Sequence, residues 1–187
     1  MSELEELRRR VERLESRNEI DELVSTYAIA CDEHDLPRLT SLFTADAELD
    51  SPSGAMIAHG RHAIEQMFVR IFKLRGPAYH WTHDHFVRFD DADANRATGL
   101  VLSHAETTPG NEVSLAAMRY NDTYRREDGR WRFAKRVVSY LYYVPAREYA
   151  TSLSSPTRLM IGGVRRPADY PESLPSWREF DDKYGRD

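Results

Sequence analysis

Two ionisable residues stand in otherwise apolar segments of the sequence, and their chemistry is complementary. Asp32 ends the run Tyr27-Ala-Ile-Ala-Cys-Asp32, which is typical of a buried helix face, and His80 opens the strand-like run His80-Trp-Thr-His-Asp84. A histidine and an aspartate that meet in an apolar pocket form a general base with its orienting partner, which suffices to remove a proton from carbon. The alternative is that Asp32 ends a helix and His80 is an ordinary core histidine. The order of the surrounding segments favours the catalytic interpretation.

Two further residues are candidates for the same chemistry. Tyr27 carries a phenol that is neutral at pH 7 and can donate a proton to a leaving hydroxyl group. Arg136 can stabilise negative charge that develops on an oxygen or a halide. An ion pair of Arg136 with Asp32, or with a surface acid, explains this arginine equally well. We predict His80 as the base, Asp32 as its partner, and Tyr27 and Arg136 as further catalytic residues.

The spacing of apolar residues predicts the helices that position this set. An apolar seam near the N-terminus indicates a helix that docks on its own domain or on a neighbouring subunit, and it comprises Leu4, Leu7, Val11 and Leu14. A second helical stripe runs from residue 20 to residue 31. Asp35, with Pro37 in the first turn, predicts a short helix that ends near residue 43. A third helix is predicted over residues 61–74.

From Tyr79 onward the apolar period changes from 3.6 to 2, which indicates strands. Strands are predicted over residues 79–89, 97–107, 113–125 and 130–144, with shorter ones over 44–50 and 56–59. Four consecutive strands joined by short turns form an antiparallel sheet. Helices that precede long strands indicate an α+β fold. We predict one domain over residues 1–145 and a tail over residues 146–187, which packs on the domain or on a neighbouring subunit.

Strand alternation suggests which side chains line the pocket. Arg136, Tyr140 and Tyr142 share one face of the last strand, and Asp84 shares a face with His80 unless a bulge shifts the register. The predicted substrate-binding set is Tyr120, Tyr140, Tyr142, Asp84, Phe68 and Phe72. Aromatic walls suit a hydrophobic, ring-bearing small molecule. The alternative is that these tyrosines serve packing or an interface.

The opposite face of the last strand is predicted to be strongly apolar, and it carries Trp131, Phe133, Val137, Leu141 and Tyr143. Such a face is too apolar for water, so we predict a homodimer or a homotrimer. The net charge of -5 argues against nucleic-acid binding. The acidic N-terminus is not followed by an apolar run, and no stretch reaches the length of a membrane span. We therefore expect a cytoplasmic protein without membrane contact.

The sequence gives little support for a metal or a cofactor. His83 and His85 are two residues apart, but no carboxylate cluster with suitable spacing completes a metal site. Neither a dinucleotide-binding glycine motif nor a phosphate loop is present in the sequence. Cys31 is the single cysteine and shows no sign of activation. We predict neither a metal nor a cofactor.

The order of helices and strands resembles the SnoaL-like families of the ketosteroid isomerase and nuclear transport factor superfamily. The resemblance covers roughly residues 15–145 and includes the segments 27–32, 42–47, 80–87 and 124–136. It implies a cone-shaped α+β barrel with a deep apolar pocket. The pattern is nearest that of three cofactor-independent lyases: bile acid 7-alpha-dehydratase, lindane dehydrochlorinase and scytalone dehydratase. Tyr27, Asp32 and His80 match the dehydratase pattern, and Arg136 matches an arginine of the dehydrochlorinase.

The residues and the resemblance together predict a lyase that needs no cofactor and acts on a hydrophobic cyclic or aromatic molecule. Loss of water is the expected elimination, with loss of another small group as a variant. One alternative is an isomerase that moves a proton in a similar substrate. The other is a non-catalytic protein, either a binding protein or the small subunit of a ring-hydroxylating dioxygenase. A non-catalytic protein gains nothing from an acid and a base buried together, so this pair favours the lyase or the isomerase.

Overall fold

The first helix forms one long side of the molecule. In the computed structural model, which describes residues 2–185, α1 (Glu3–Asp32) runs without interruption through both predicted helical stripes. Ser2 caps it through a capping box with Glu5. Its second half packs on the sheet, whereas the apolar seam of its first half is between 45% and 70% exposed. No part of residues 2–185 covers that seam. Met1, Arg186 and Asp187, which the predicted domain ranges include, lie outside the described residues.

Two shorter helices close the same side. The helix α2 (Leu36–Ser41) begins as predicted, because the Asp35 carboxylate accepts a hydrogen bond from the Arg38 N–H group at 3.1 Å. It leads into the strand β1 (Phe43–Asp50) and the short strand β2 (Ala58–His59). The helix α3 (Arg61–Leu74) matches the predicted range and buries Ile64, Met67 and Phe68.

The long strands form the predicted antiparallel meander, and they are β3 (Tyr79–Phe89), β4 (Arg96–Thr107), β5 (Ser114–Glu127) and β6 (Arg130–Pro145). Strand β1 pairs with β6 in parallel, so the sheet is mixed and has the order β2-β1-β6-β5-β4-β3. The α+β class is confirmed. The sheet curves around the helices, but it does not close into a barrel.

In the meander of β3–β6, three register shifts decide which side chains face the helices. In β3 the shift lies at Asp84, whose φ of 49° breaks the alternation. In β6 the pairing skips Ala134 and later Leu141. Each extra residue turns the following side chains to the opposite face. Within β3–β6, strict alternation therefore fails at three points, and the wrong orientations predicted for side chains on these strands follow from them.

The predicted outer apolar face of β6 is wrong for this reason. Trp131 and Phe133 are buried in the hydrophobic core, and Tyr143 lines the cavity described below. Val137 and Leu141 are only partly buried. The predicted homo-oligomer is therefore not supported by an apolar face of β6, and it stays a prediction. No helix of residues 2–185 combines the length and the apolar character needed to span a bilayer.

The tail packs along β6. It contains α4 (Tyr149–Ser152), β7 (Leu159–Ile161), β8 (Val164–Arg166) and α5 (Pro175–Tyr184), and β7 pairs with β6. Arg158 links the tail to β6, because its guanidinium donates to the Leu141 carbonyl of β6 at 2.7 Å. The same guanidinium donates to the Glu172 carboxylate of the tail at 2.8 and 2.9 Å. The Asp169 carboxylate accepts the Tyr140 N–H at 2.9 Å. The β7–β8 hairpin is thereby held beside β6.

Candidate active site

A cavity of about 570 Å³ opens between the curved sheet, helices α1 and α3, and the β7–β8 hairpin. Its inner part is walled by apolar and aromatic side chains, which include Phe68, Ile71, Met118, Tyr120, Val138, Tyr140 and Tyr143. The hairpin contributes Met160 and Ile161 from the other side. A cavity of this size and composition is suited to a ring-bearing small molecule.

His80 and Asp32 meet at the wall of this cavity. The Asp32 carboxylate accepts two hydrogen bonds from His80, one from the backbone N–H at 2.9 Å and one from ring Nδ1 at 2.5 Å. The His80 side chain is 9% exposed and lines the cavity, while Asp32 lies behind it. An ionised carboxylate only accepts, so Nδ1 carries a proton, and in the neutral ring Nε2 keeps its lone pair. In that form His80 can act as a general base with a fixed tautomer.

Tyr27 lies on the same wall, one helical turn before Cys31. Four aromatic rings surround its ring edge to face, at centroid distances of 5.8 to 6.2 Å; they belong to Phe43, Phe68, Tyr120 and Phe133. Burial raises the pKa of the Tyr27 phenol well above its ordinary value, although the positive charge of Arg136 opposes this shift. The phenol is therefore a neutral donor at physiological pH.

Arg136 does not line the cavity. Its guanidinium lies 4.2 Å from the Tyr27 ring centroid and 4.3 Å from that of Tyr120, so these rings separate it from the cavity. It forms a bidentate ion pair with the Asp122 carboxylate, in which Nε donates at 2.8 Å and Nη2 donates at 2.7 Å. Both side chains are fully buried. Burial opposes its charge, but the Asp122 carboxylate more than compensates and raises the pKa of Arg136. The considered pairing with Asp32 or a surface acid is wrong.

A polar chain extends from this ion pair to the surface, and the sequence analysis missed it. The Tyr124 hydroxyl donates to Asp122 at 2.8 Å and lies 3.0 Å from His85 Nε2. His85 Nδ1 lies 2.6 Å from the Asp21 carboxylate on α1. Burial lowers the pKa of His85. The bulge at Asp84 turns His85 inward, and nothing in the local sequence marks that bulge.

The predicted substrate-binding residues divide into two groups. Tyr120, Tyr140 and Phe68 line the cavity. Asp84 and Tyr142 do not, because Asp84 is the exposed bulge residue of β3, and the skipped Leu141 turns Tyr142 into a separate cluster with Ala117 and Val144. Phe72 also lies outside the lining, since its ring stacks on that of His34 at 4.3 Å.

Several lining residues were not anticipated. Tyr143 replaces Tyr142, and its hydroxyl lies 2.9 Å from Thr107 Oγ1. Arg75 directly follows the last turn of α3. At this position a cation is usually explained by its favourable interaction with the helix dipole, and not by a role in a binding site. Residues 160–163 belong to the tail, where frequent prolines and glycines leave no clear periodicity from which packing can be predicted. Their place in the lining depends on how the hairpin docks.

No site with metal-binding geometry emerges around the histidines. Within residues 2–185, no group of three or more His, Cys, Asp or Glu side chains is arranged to hold a metal ion. His83 Nε2 lies 3.0 Å from His104 Nδ1 on the exposed side, whereas His85 turns inward to Tyr124. The two histidines that seemed to share a strand face are separated by the bulge.

Similarity to known proteins extends over most of the chain. A family model described as a SnoaL-like domain matches residues 12–137. Gamma-hexachlorocyclohexane dehydrochlorinase of Sphingobium indicum is 29% identical over 135 residues, which are 72% of this chain and 86% of that protein. Hexachlorocyclohexane dehydrochlorinase 1 of the same species is 27% identical over 135 residues, again 72% of this chain and 88% of the relative.

Solved structures give the same picture of the fold. A crystal structure of a type 2 hexachlorocyclohexane dehydrochlorinase superposes with a TM-score of 0.67 at 25% identity, covering 72% of this chain and 91% of that one. A putative scytalone dehydratase from Novosphingobium aromaticivorans superposes with a TM-score of 0.65 at 20% identity, covering 72% and 89%. At 20% identity the second match supports the fold alone.

Proposed function

The chain belongs to the SnoaL-like domain family, and on that premise we propose that it is a cofactor-independent lyase. The proposed reaction is elimination of water, or of another small leaving group, from a hydrophobic cyclic or aromatic small molecule. The observation that carries the proposal is the two-bond contact of Asp32 with His80 at the wall of an apolar cavity. Relatives named as dehydrochlorinases support an elimination.

The step that this geometry favours begins at His80. Its Nε2 accepts a proton from a carbon next to the leaving group, and the C–H electron pair forms the new C=C bond as the leaving group departs with its own electrons. Asp32 holds the ring and stabilises the imidazolium that forms. A base placed in this way contributes about 10² to 10⁴ to the rate.

Tyr27 and Arg136 act on the leaving group. The Tyr27 phenol donates its proton to a departing hydroxyl, which leaves as water, and recovers a proton from the His80 imidazolium. Arg136, 4.2 Å from the Tyr27 ring centroid, stabilises the transient phenolate. Arg136 thus acts through Tyr27, and we assign it a positioning and electrostatic role rather than contact with the substrate.

The nature of the leaving group separates two versions of this proposal. A hydroxyl needs the proton of Tyr27, whereas a chloride leaves unprotonated and does not. The 29% identity to a dehydrochlorinase favours testing halide loss alongside water loss. An isomerase would use the same base, but it would return the proton to a neighbouring carbon and release nothing. Release of water or chloride therefore distinguishes a lyase from an isomerase or a binding protein.

The test combines a substrate panel with paired histidine variants. The purified chain is incubated with hydroaromatic alcohols and with gamma-hexachlorocyclohexane, and products are identified by mass spectrometry and chloride release. For a turned-over compound, we expect His80→Ala to lose at least about a hundredfold in kcat/KM. His83→Ala is the matched control, because His83 lies on the same strand outside the cavity. Equal turnover by wild type and His80→Ala would exclude the base role.

We also propose that the chain is a cytoplasmic homodimer or homotrimer. The oligomer is supported by the exposed seam of α1, where four apolar residues recur at coiled-coil spacing and residues 2–185 do not cover them: Leu4, Leu7, Val11 and Leu14. Light scattering coupled to size exclusion gives the mass directly. We expect Leu7→Glu combined with Leu14→Glu to lower it toward one chain, and a wild-type monomer would contradict the proposal.

A further inference from the structure

Arg75 stands out among the charged residues that line the cavity. The others are Glu112 and Arg147, which form an ion pair with each other near the mouth. Arg75 has no ion-pair partner within 4.0 Å among residues 2–185. Among the described lining residues, Arg147 is therefore paired with a carboxylate and Arg75 is not.

The guanidinium of Arg75 is also poorly supplied with hydrogen-bond acceptors. Its Nη2 donates to the Cys31 carbonyl at 3.4 Å, which is a long bond, and its Nε is buried without a partner among the described residues. Its position is nevertheless fixed. The guanidinium lies 5.4 Å from the Phe72 ring centroid, and the Arg75 backbone pairs with Pro109 in a β-bridge.

The position of Arg75 relates it to the proposed base. Cys31, whose carbonyl it contacts, directly precedes Asp32, and both Arg75 and His80 line the same cavity. Buried N–H groups in native proteins usually have an acceptor. Because Arg75 lines the cavity and its Nε has no partner among the described residues, a ligand in the cavity can supply the missing acceptor. A carboxylate fits best, because its two oxygens match the planar donor fork of arginine.

We propose that Arg75 binds a carboxylate of the substrate and so orients the ring in the cavity, alongside the stacked rings of Tyr140 and Tyr143 and beside His80. This inference rests on the proposed function, since it assigns the substrate class of the lyase: a monoanionic, ring-bearing acid. Glu112 and Arg147 neutralise each other, so they do not replace Arg75 in this role. Most of the remaining lining residues are apolar or aromatic, and these suit the ring.

The binding test uses two probes of the same shape that differ in charge, 2-naphthoate and 2-naphthamide, titrated by calorimetry. Wild type is expected to bind the naphthoate about 10- to 100-fold more tightly than the amide, because its carboxylate forms a pair of charge-assisted hydrogen bonds with Arg75. Arg75→Gln should remove this preference and leave the amide affinity unchanged, whereas Arg75→Lys should keep part of it. Equal affinities in wild type, or an unchanged preference in Arg75→Gln, would overturn the assignment.

A paired control and a catalytic variant separate this inference from the lyase proposal. The double variant Arg147→Gln/Glu112→Gln removes a cavity arginine together with its partner, so the naphthoate preference should persist. His80→Gln should lose turnover but keep that preference. Retained turnover in His80→Gln refutes the base and leaves the anchor standing. Loss of turnover there, with an unchanged preference in Arg75→Gln, refutes the anchor and leaves the base standing.

Discussion

Replacing Asp122 by Asn is expected to destabilise the fold more than its small change in shape suggests. The Asp122 carboxylate accepts two bonds from Arg136 and one from Tyr124, and both members of the ion pair are fully buried. An amide has one acceptor oxygen and no charge, so Arg136 becomes an uncompensated buried cation. Breaking a buried pair in this way costs about 3–5 kcal/mol. At least one of the three donors also loses its acceptor, which adds about 1 kcal/mol.

Urea unfolding followed by tryptophan fluorescence measures this loss. The matched control is Glu48→Gln, which breaks a pair with Lys135 whose side chains are 46% and 41% exposed, and we expect a change within about 1 kcal/mol there. The double variant Asp122→Leu/Arg136→Met removes both charges and should recover most of the stability lost in Asp122→Asn. A loss below about 1 kcal/mol in Asp122→Asn, or a double variant no better than the single one, would refute the buried-pair reasoning.

Four further outcomes follow from the geometry. Burial raises the pKa of Cys31 to about 12, so at pH 8 its thiol should not react with a thiol reagent until urea unfolds the chain, and rapid labelling of the native protein would contradict the placement. Gly99→Ala should cost about 1–3 kcal/mol in urea unfolding, because a Cβ there would lie 2.7 Å from the Tyr124 ring, and a neutral result would contradict that close approach. Tyr27→Phe should slow loss of water by about a hundredfold or more and leave loss of chloride nearly unchanged. Because burial raises the pKa of Tyr27, the wild-type rate should show no fall from ionisation of this phenol below about pH 10.

Much of the fold follows from local sequence signals. The Asp35 cap, the helix Arg61–Leu74 and the strand Tyr79–Phe89 each appear where their periodicity or cap residue predicts them. These signals are local because a cap or an apolar stripe involves neighbours along the chain. The meander follows from short turns between long strands. The parallel pairing of β1 with β6 has no such signal, since its partners are far apart in sequence.

The contact of Asp32 with His80 was predictable because each residue is anomalous in its own segment. The orientations of Tyr142, Tyr143, His85 and Phe133 were not, because a β-bulge adds one residue without a required sequence change. A single skipped residue at Leu141 exchanges Tyr142 for Tyr143 at the cavity. The docking of the β7–β8 hairpin at the cavity was not predicted because its contacts with β6 join residues that are far apart in sequence.

The central claim is that Asp32 fixes His80 as a base with a free Nε2. Nitrogen-15 NMR of the imidazole measures this tautomer without a substrate. In the wild type, Nδ1–H donates to Asp32, so the spectrum should show a protonated Nδ1 and an unprotonated Nε2 for His80 at pH 8. In Asp32→Asn, the amide oxygen must accept the His80 backbone N–H, so its NH₂ group faces Nδ1 and the proton moves to Nε2. That reversal is the result we predict. A wild-type His80 with its proton on Nε2 would contradict the assignment of His80 as the general base.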